Sequence, residues 1–387
     1  MVRTVIGEAR DDGHLMITGL GEAPSRGVRK GEIVDFENAM ACVRDALQIA
    51  EESAHVMVGT VHLVISGGHI KSLVNRGSVP IMNSRHEVTD ADVQHVMDTA
   101  RTVSLPPDRQ VLHSICQNFT VDGLDGVIDP EGMEGANLGL DMLIIHGVLT
   151  RLRNIVKVVK NIQVDVEDVA FSGLCAALAV LTPEEKDAGV LVVDLGGGTT
   201  DFVAYARNAI ACAGGIGVGG DHISNDIARG LRIPTLEAEE MKEEHGSAIV
   251  ELAARSQKIP LPVDAGMPQR SVKLSDLHTI IHLRAEETLN LVKAELSESN
   301  LLHSLGAGVV LTGGGAHLKN LVKLAEKVFG LPCRIGTPRG VTGLATVTEG
   351  AEYAATVGMV RYAFKSISQR EESKRGLKSL WNAIFGR

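Results

Sequence analysis

One segment constrains this chain more than any other: GVLVVDLGGGTTDFVAYAR, Gly189 to Arg207. An apolar run stops at Asp194. Gly196, Gly197 and Gly198 follow, then Thr199, Thr200 and Asp201, and the chain continues as a second apolar run. The two runs predict strands, and the bare, hydroxyl-rich turn between them predicts a site for a phosphate chain. Three glycines let backbone N–H groups approach an anion with no Cβ in the way. Thr199 and Thr200 can add hydroxyls. Asp194 and Asp201 suit a hydrated Mg²⁺, which keeps several waters and takes one or two carboxylates. A plain hairpin would need one or two glycines and none of the flanking Asp and Thr.

The rest of the chain alternates strands and helices. Val2–Arg10 and Leu15–Ala23 read as strands flanking a turn at Asp11-Asp12-Gly13. Phe36–Ser53 has helical spacing in Ala39, Cys42, Val43, Ala46, Leu47 and Ala50, and Val61–Gly68 is a buried strand. Residues 69–146 read as a separate α/β unit, with a helix over Asp90–Arg101 and strands near Gln110–Val121 and Leu138–His146. Helices are predicted over Gly147–Val159, Leu174–Leu181, Leu274–Leu301 and His317–Phe329, with a strand over Gly308–Gly315 and a polar linker over 365–375.

Composition removes several function classes. With 387 residues the chain has room for two or more domains. The net charge is −10 and aromatics are 3% of residues, so nucleic acid is not an expected partner. No run reaches the roughly 18 apolar residues of a membrane span. Five scattered cysteines with no CxxC pair fit reduced thiols. The glycine loops are not of the GxxxxGK[ST] kind, so a P-loop is excluded.

Two more motifs join the first. VVLTGGGAHLKNL holds a second glycine loop, Gly313, Gly314 and Gly315 with Ala316, between a strand and a helix. Helix N-termini favour anions and flat groups close to backbone. GGDHISNDIARGL opens a helix at Gly219 and Gly220, and AEEMK then places Glu239 and Lys242 on one helical face. A carboxylate there could take ribose hydroxyls and the ammonium could lie near base or phosphate. Taken alone, the pair also reads as a solvated charged face.

In this order the motifs resemble the actin/Hsp70/sugar-kinase superfamily. Gly19–Asp35, Val111–Gly123, Asn154–Asn161, Val310–Leu321 and the C-terminal tail resemble, more narrowly, the bacterial FtsA family of cell-division proteins, over essentially the whole chain. The resemblance implies an α/β, actin-like two-lobed ATPase fold with an inserted FtsA-type 1C subdomain. Subdomain 1A would span 1–68, 147–188 and 337–364, with 1C at 69–146. Subdomain 2A would span 189–216 and 303–336, with 2B at 217–302, a linker at 365–375 and a membrane helix at 376–387. It implies ATP and Mg²⁺ as cofactors, with phosphates on Gly196–Thr200, adenosine at Gly313–Ala316, and ribose or base near Glu239 and Lys242. Implied partners are itself in filaments, membrane lipid, downstream divisome membrane proteins and the C-terminal peptide of tubulin-like FtsZ on 2B. The implied place is the cytoplasmic face of the cell membrane at the division site.

Two departures carry expectations. The family's phosphate-1 loop, of Asp-x-Gly-Thr type, has no counterpart in this sequence, so a central strand and half the phosphate cradle are expected to be missing. Related filament ATPases carry Glu-Pro where this chain reads FSGLCAAL, with Gly173 and Leu174 in place. No general base is evident there, so at most slow ATP hydrolysis is expected.

The tail, SKRGLKSLWNAIFGR, puts Leu377, Leu380, Trp381, Ile384 and Phe385 on one helical stripe. Lys374, Arg375, Lys378 and Arg387 take the remaining surface, with no acid among residues 374–387. That pattern suits an interfacial membrane helix; the alternative is a helix docked on the protein's own core. The same fold also serves pilus-assembly ATP-binding proteins, which need no cationic tail. A sugar or acetate kinase is the enzyme-class alternative, and it leaves the tail unexplained.

Overall fold

The computed structural model describes residues 1–10, 14–261 and 271–373, with side chains of the last helix described to Ile367. The turn expected at Asp11-Asp12-Gly13 and the tail stripe lie outside the described residues.

The first lobe opens with an antiparallel hairpin, β1 (Val2–Ala9) and β2 (Leu15–Ala23). A second, minimal hairpin, β3 (Val28–Arg29) and β4 (Glu32–Ile33), follows. Helix α1 (Phe36–Ala54) is capped by Asp35, whose side chain accepts from Asn38 N–H. Its buried small residues face β2, with Cys42 and Ala46 against Ala23, while Leu47 packs with Val159 and Val164. Contact is close because Gly21 has no side chain: a Cβ there would overlap the Ala46 carbonyl. Strand β5 (Thr60–Ile65) ends this part.

The inserted unit is β6 (Lys71–Pro80), α2 (Asp90–Arg101), β7 (Arg109–Val121), β8 (Leu124–Val127) and β9 (Asn137–Val148). Its antiparallel sheet runs β6-β9-β7-β8, and it has its own core of Phe119, Leu138, Leu140, Met142 and Ile144 closed by Val93, Val96 and Ala100 of α2. A capping box between Thr89 and Asp92 fixes the start of α2. The chain returns through α3 (Leu149–Lys160) to β10 (Asp165–Phe171), which pairs in parallel with β5, then α4 (Ser172–Val180) and α5 (Pro183–Ala188).

The second lobe begins with the constraining segment as β11 (Val190–Leu195) and β12 (Thr200–Ala206), then β13 (Ala209–Ile216). Next come α6 (Gly220–Leu231), α7 (Thr235–His245), β14 (Lys258–Pro260), β15 (Ser271–Lys273) and α8 (Leu274–Glu298). Strand β16 (Val309–Thr312), α9 (Leu321–Phe329) and β17 (Cys333–Ile335) complete it. The chain then crosses back as β18 (Val341–Gly343), which joins β2 in parallel, followed by α10 (Ala345–Glu349) and α11 (Ala354–Ser373). Two sequence expectations are corrected. The segment 365–373 continues α11 as helix: its stretch Lys365–Ser373 contains no Gly or Pro to stop it. The second glycine loop enters a 3-10 turn, Gly314–His317, and α9 starts only at Leu321, after Asn320 in a left-handed conformation.

The two lobes share a plan and differ at the centre of the sheet. Lobe 2 has a five-stranded sheet, β13-β12-β11-β16-β17, with β11 central and buried along its whole length. In lobe 1, β1 pairs only with β2, and β5 only with β10, although α11 packs against both β1 and β5. Among the described residues no strand occupies the place between β1 and β5 that β11 holds between β12 and β16. The strands beside it stay half-buried, as edge strands do. Among the described residues no helix is long and apolar enough to cross a membrane.

Candidate functional site

The candidate site is built where the lobes meet, on the turn after β11. Gly196 N–H closes the turn onto Thr199 O at 2.9 Å. Helix α6 then pins it from below: Gly220 N–H donates to Gly196 O at 3.0 Å, and Asp221 N–H to Gly197 O at 2.8 Å. The first N–H groups of α6 are therefore spent on the turn's carbonyls. Gly219 N–H goes to His222 Nδ1 at 3.1 Å. The two glycines named from sequence at the start of α6 shape the cradle; the donors left over are on the turn. Among the described residues, N–H groups of Gly197, Gly198 and Thr199 have no hydrogen-bond acceptor in the protein. Three adjacent unused donors are the arrangement that can receive an anion.

Behind the turn lie the two carboxylates. Asp194 and Asp201 face each other across β11 and β12. They are 9% and 2% exposed, and Oδ1 of Asp201 has no hydrogen-bond partner. Asp194 Oδ2 accepts from Ser172 Oγ at 2.9 Å. Burial pushes the Asp194 carboxyl above the usual carboxylate range. Burial and the neighbouring Asp194 charge push Asp201 higher still. A buried pair of acids with an unpartnered oxygen is short of positive charge, which a hard divalent cation with oxygen ligands would supply. The residues present therefore fit Mg²⁺.

The second glycine loop meets the same pair. Gly313 has φ 81° and lies so close to Asp194 that a Cβ would overlap its carboxylate. Thr312 Oγ1 donates to Gly336 O and Ala351 O, at 2.9 and 3.0 Å, which fixes the loop. On its other side a Cβ at Gly314 would meet only Glu352 within 4 Å, so Gly314 presents open backbone. Ala316 is buried beneath it. On α7, Lys242 Nζ bonds Glu239 Oε1 at 2.7 Å, Ser224 Oγ at 3.0 Å and Gly220 O at 3.4 Å. The Glu239–Lys242 pair thus stands at the N-terminus of α6, whose Gly220 N–H is bonded to Gly196 of the first glycine turn.

Sequence reading missed the residues that other segments contribute. Ser66, just past β5, bonds Thr199 through the two hydroxyls at 2.6 Å and links the lobes. Asp221 lies beside Gly197, Ser172 beside Asp194, and Lys30 at the tip of the β3–β4 hairpin abuts Gly198. Only Asp221 carried a local signal, being two residues past a helix-opening glycine. At the start of α4, Ser172, Gly173 and Leu174 are all buried and none is an acid.

Comparison with known proteins agrees with this architecture. The model of the family described as cell division protein FtsA matches residues 191–358, and the model of the SHS2 domain inserted in FtsA matches residues 67–146. The cell division protein FtsA of Pseudomonas aeruginosa is 36% identical over 95% of this chain and 88% of its own length. Among solved structures, the PilM-PilN type IV pilus biogenesis complex is similar with TM-score 0.63 and 15% identity, covering 92% of this chain and 94% of that one. MreB 5 of Spiroplasma citri bound to AMPPNP is similar with TM-score 0.51 and 17% identity, covering 95% and 84%. At these identities the structures establish the actin-like fold alone.

Proposed function

The chain belongs to the FtsA family of cell-division proteins, and from that premise we propose a membrane adaptor that uses ATP as an assembly cofactor. It binds ATP with Mg²⁺, polymerises with the nucleotide in place, and holds filaments of tubulin-like FtsZ against the cytoplasmic face of the cell membrane at the division site. The observation that carries the nucleotide reading is the meeting of the two glycine loops at Asp194.

Each residue has a place in that reading. The N–H groups of Gly197, Gly198 and Thr199 take phosphate oxygens, with the Thr200 side chain buried behind them. Asp194 and Asp201 hold the hydrated Mg²⁺, which neutralises phosphate charge when bound. Gly313, Gly314 and Gly315 give a flat backbone surface for adenosine, and Glu239 with Lys242 lies on the ribose side. Ser66, bonded to Thr199, ties lobe 1 to the phosphate turn and so couples occupancy to lobe closure. The buried Ser172, Gly173 and Leu174 offer no carboxylate to activate water, which keeps hydrolysis slow and the nucleotide in place.

Membrane attachment falls to residues 374–387. Leu377, Leu380, Trp381, Ile384 and Phe385 enter the interface while Lys374, Arg375 and Lys378 meet anionic lipid. One short helix binds reversibly, and many along a filament bind stably, because linked weak contacts multiply. The FtsZ C-terminal peptide docks on 217–302, and other divisome membrane proteins gather on the assembled filament. The pilus and kinase alternatives recede, since the pilus likeness extends to fold alone and a kinase has no use for the tail.

The test is co-sedimentation of FtsZ filaments with anionic liposomes. With ATP and the full chain, FtsZ should pellet with lipid; with a chain ending at Gln369, or with Trp381→Glu, it should stay in the supernatant. FtsZ recruitment by the shortened chain would overturn the tail's role. Absence of recruitment by the full chain would overturn the adaptor.

A further inference from the structure

The β3–β4 hairpin tip carries a lysine in a turn built for asparagine and glycine. Arg29 pairs with Glu32, so Lys30 and Gly31 are the entire loop, with φ 53° and 77°. Positive φ at both central residues is the type I′ turn, for which Asn-Gly is the favoured pair. A lysine held there is strained, because its Cβ crowds the backbone at positive φ. Strain of this kind persists where the surroundings fix it, and here they do. Gly31 lies against the end of β5, where a Cβ would come 2.5 Å from the Ser66 carbonyl. Ser66 in turn bonds Thr199.

The tip therefore sits on the phosphate turn. A Cβ at Gly198 would lie 3.1 Å from Lys30 N and 3.3 Å from its Cα, and one at Gly217 would lie 3.7 Å from Lys30 Cδ. The backbone of Lys30 touches the turn, and its stem runs along the segment that enters α6. The side chain is exposed and forms no ion pair among the described residues. Lys242, by contrast, is bound to Glu239 and Ser224. An anion on the turn also meets a negative charge, because a Cβ at Gly197 would lie 3.0 Å from Asp221 Oδ1. Lobe 1 also brings Gly67 and Gly68 against the segment that enters α6, where a Cβ at Gly68 would lie 2.7 Å from Gly217 N, but that turn carries no charge.

We propose that Lys30 is a charged contact from lobe 1 to the phosphate chain: its ammonium closes over the phosphates held by Gly197–Thr199 and offsets Asp221. This rests on the nucleotide reading above. It makes affinity depend on the number of phosphates, with adenosine indifferent to Lys30. A charged contact of this kind is worth roughly a factor of ten in affinity.

The test is titration calorimetry on the full chain with Mg-ATP, Mg-ADP, adenosine and inorganic tripolyphosphate, using wild type, Lys30→Asn and Lys30→Arg. Asparagine suits the turn, so Lys30→Asn removes the charge without disturbing the hairpin, and its thermal midpoint should not fall. It should bind ATP and tripolyphosphate roughly tenfold more weakly, ADP less so, and adenosine unchanged. Lys30→Arg should keep the wild-type order. If Lys30→Asn binds ATP as tightly as wild type, or loses adenosine in the same proportion, the Lys30 contact is wrong while the nucleotide site stands. If wild type binds neither ATP nor tripolyphosphate, both fall.

Discussion

Replacing Asp201 by asparagine should make the nucleotide-free protein more stable as pH rises. Asp201 is buried, faces Asp194 across the sheet, and has an oxygen without a partner. Its carboxyl is raised from 3.8 to about 8 by burial and by the charge of Asp194. For an acid whose folded pKa exceeds its unfolded one, the folded state binds more protons between the two values, so stability falls as pH rises through that window. The part of that window between pH 5 and pH 7.5 costs about 3 kcal/mol at about 1.36 kcal/mol per pH unit. The new amide N–H₂ group costs about 1 kcal/mol if it lacks an acceptor, at either pH. That cost cancels between the two pH values, so the gap between Asp201→Asn and wild type should widen by about 3 kcal/mol over that range, or about 4 °C in thermal midpoint for a chain of this length. Comparing the two proteins cancels the histidines that titrate in the same window, His69 and His113, both lowered to about 4 by burial. The assay is thermal unfolding at both pH values, with and without Mg-ATP. Mg-ATP should recover wild-type stability most at pH 7.5 and do little for the variant. A gap that stays flat with pH would refute the claim that burial and the Asp194 charge hold Asp201 protonated in the nucleotide-free protein.

Two further outcomes follow from geometry. Gly313→Ala forces a Cβ into the Asp194 carboxylate at φ 81°; it should cost about 2–3 kcal/mol and abolish ATP binding, read by thermal unfolding and calorimetry. Ser66→Ala removes the hydroxyl bond between lobes; it should weaken ATP about fivefold, the equivalent of about 1 kcal/mol, with the thermal midpoint nearly unchanged.

Much of the architecture was written locally. The spacing in Phe36–Ser53 and the Thr89 cap before α2 fix those helices whatever they pack against. The glycine turns were legible because bare turns flanked by Asp and Thr have few structural uses. Strand β6 was not, since it is an edge strand whose Lys71, Asn75, Arg76 and Pro80 blunt the apolar alternation. The helical run past Lys365 was hidden because its polar residues show no periodic face. Ser66, Ser172 and Lys30 were invisible for a different reason. Each is an ordinary residue at the end of an element in lobe 1, and only the closing of one lobe on the other brings it to the turn.

The most direct test of the account is hydrogen–deuterium exchange of the full chain with and without Mg-ATP. If the two glycine loops form one nucleotide site coupled to lobe 1, residues 194–200 and 313–316 should gain protection together, and 66–70 with them through the Ser66–Thr199 bond. Protection of neither loop, or of one alone, would contradict it.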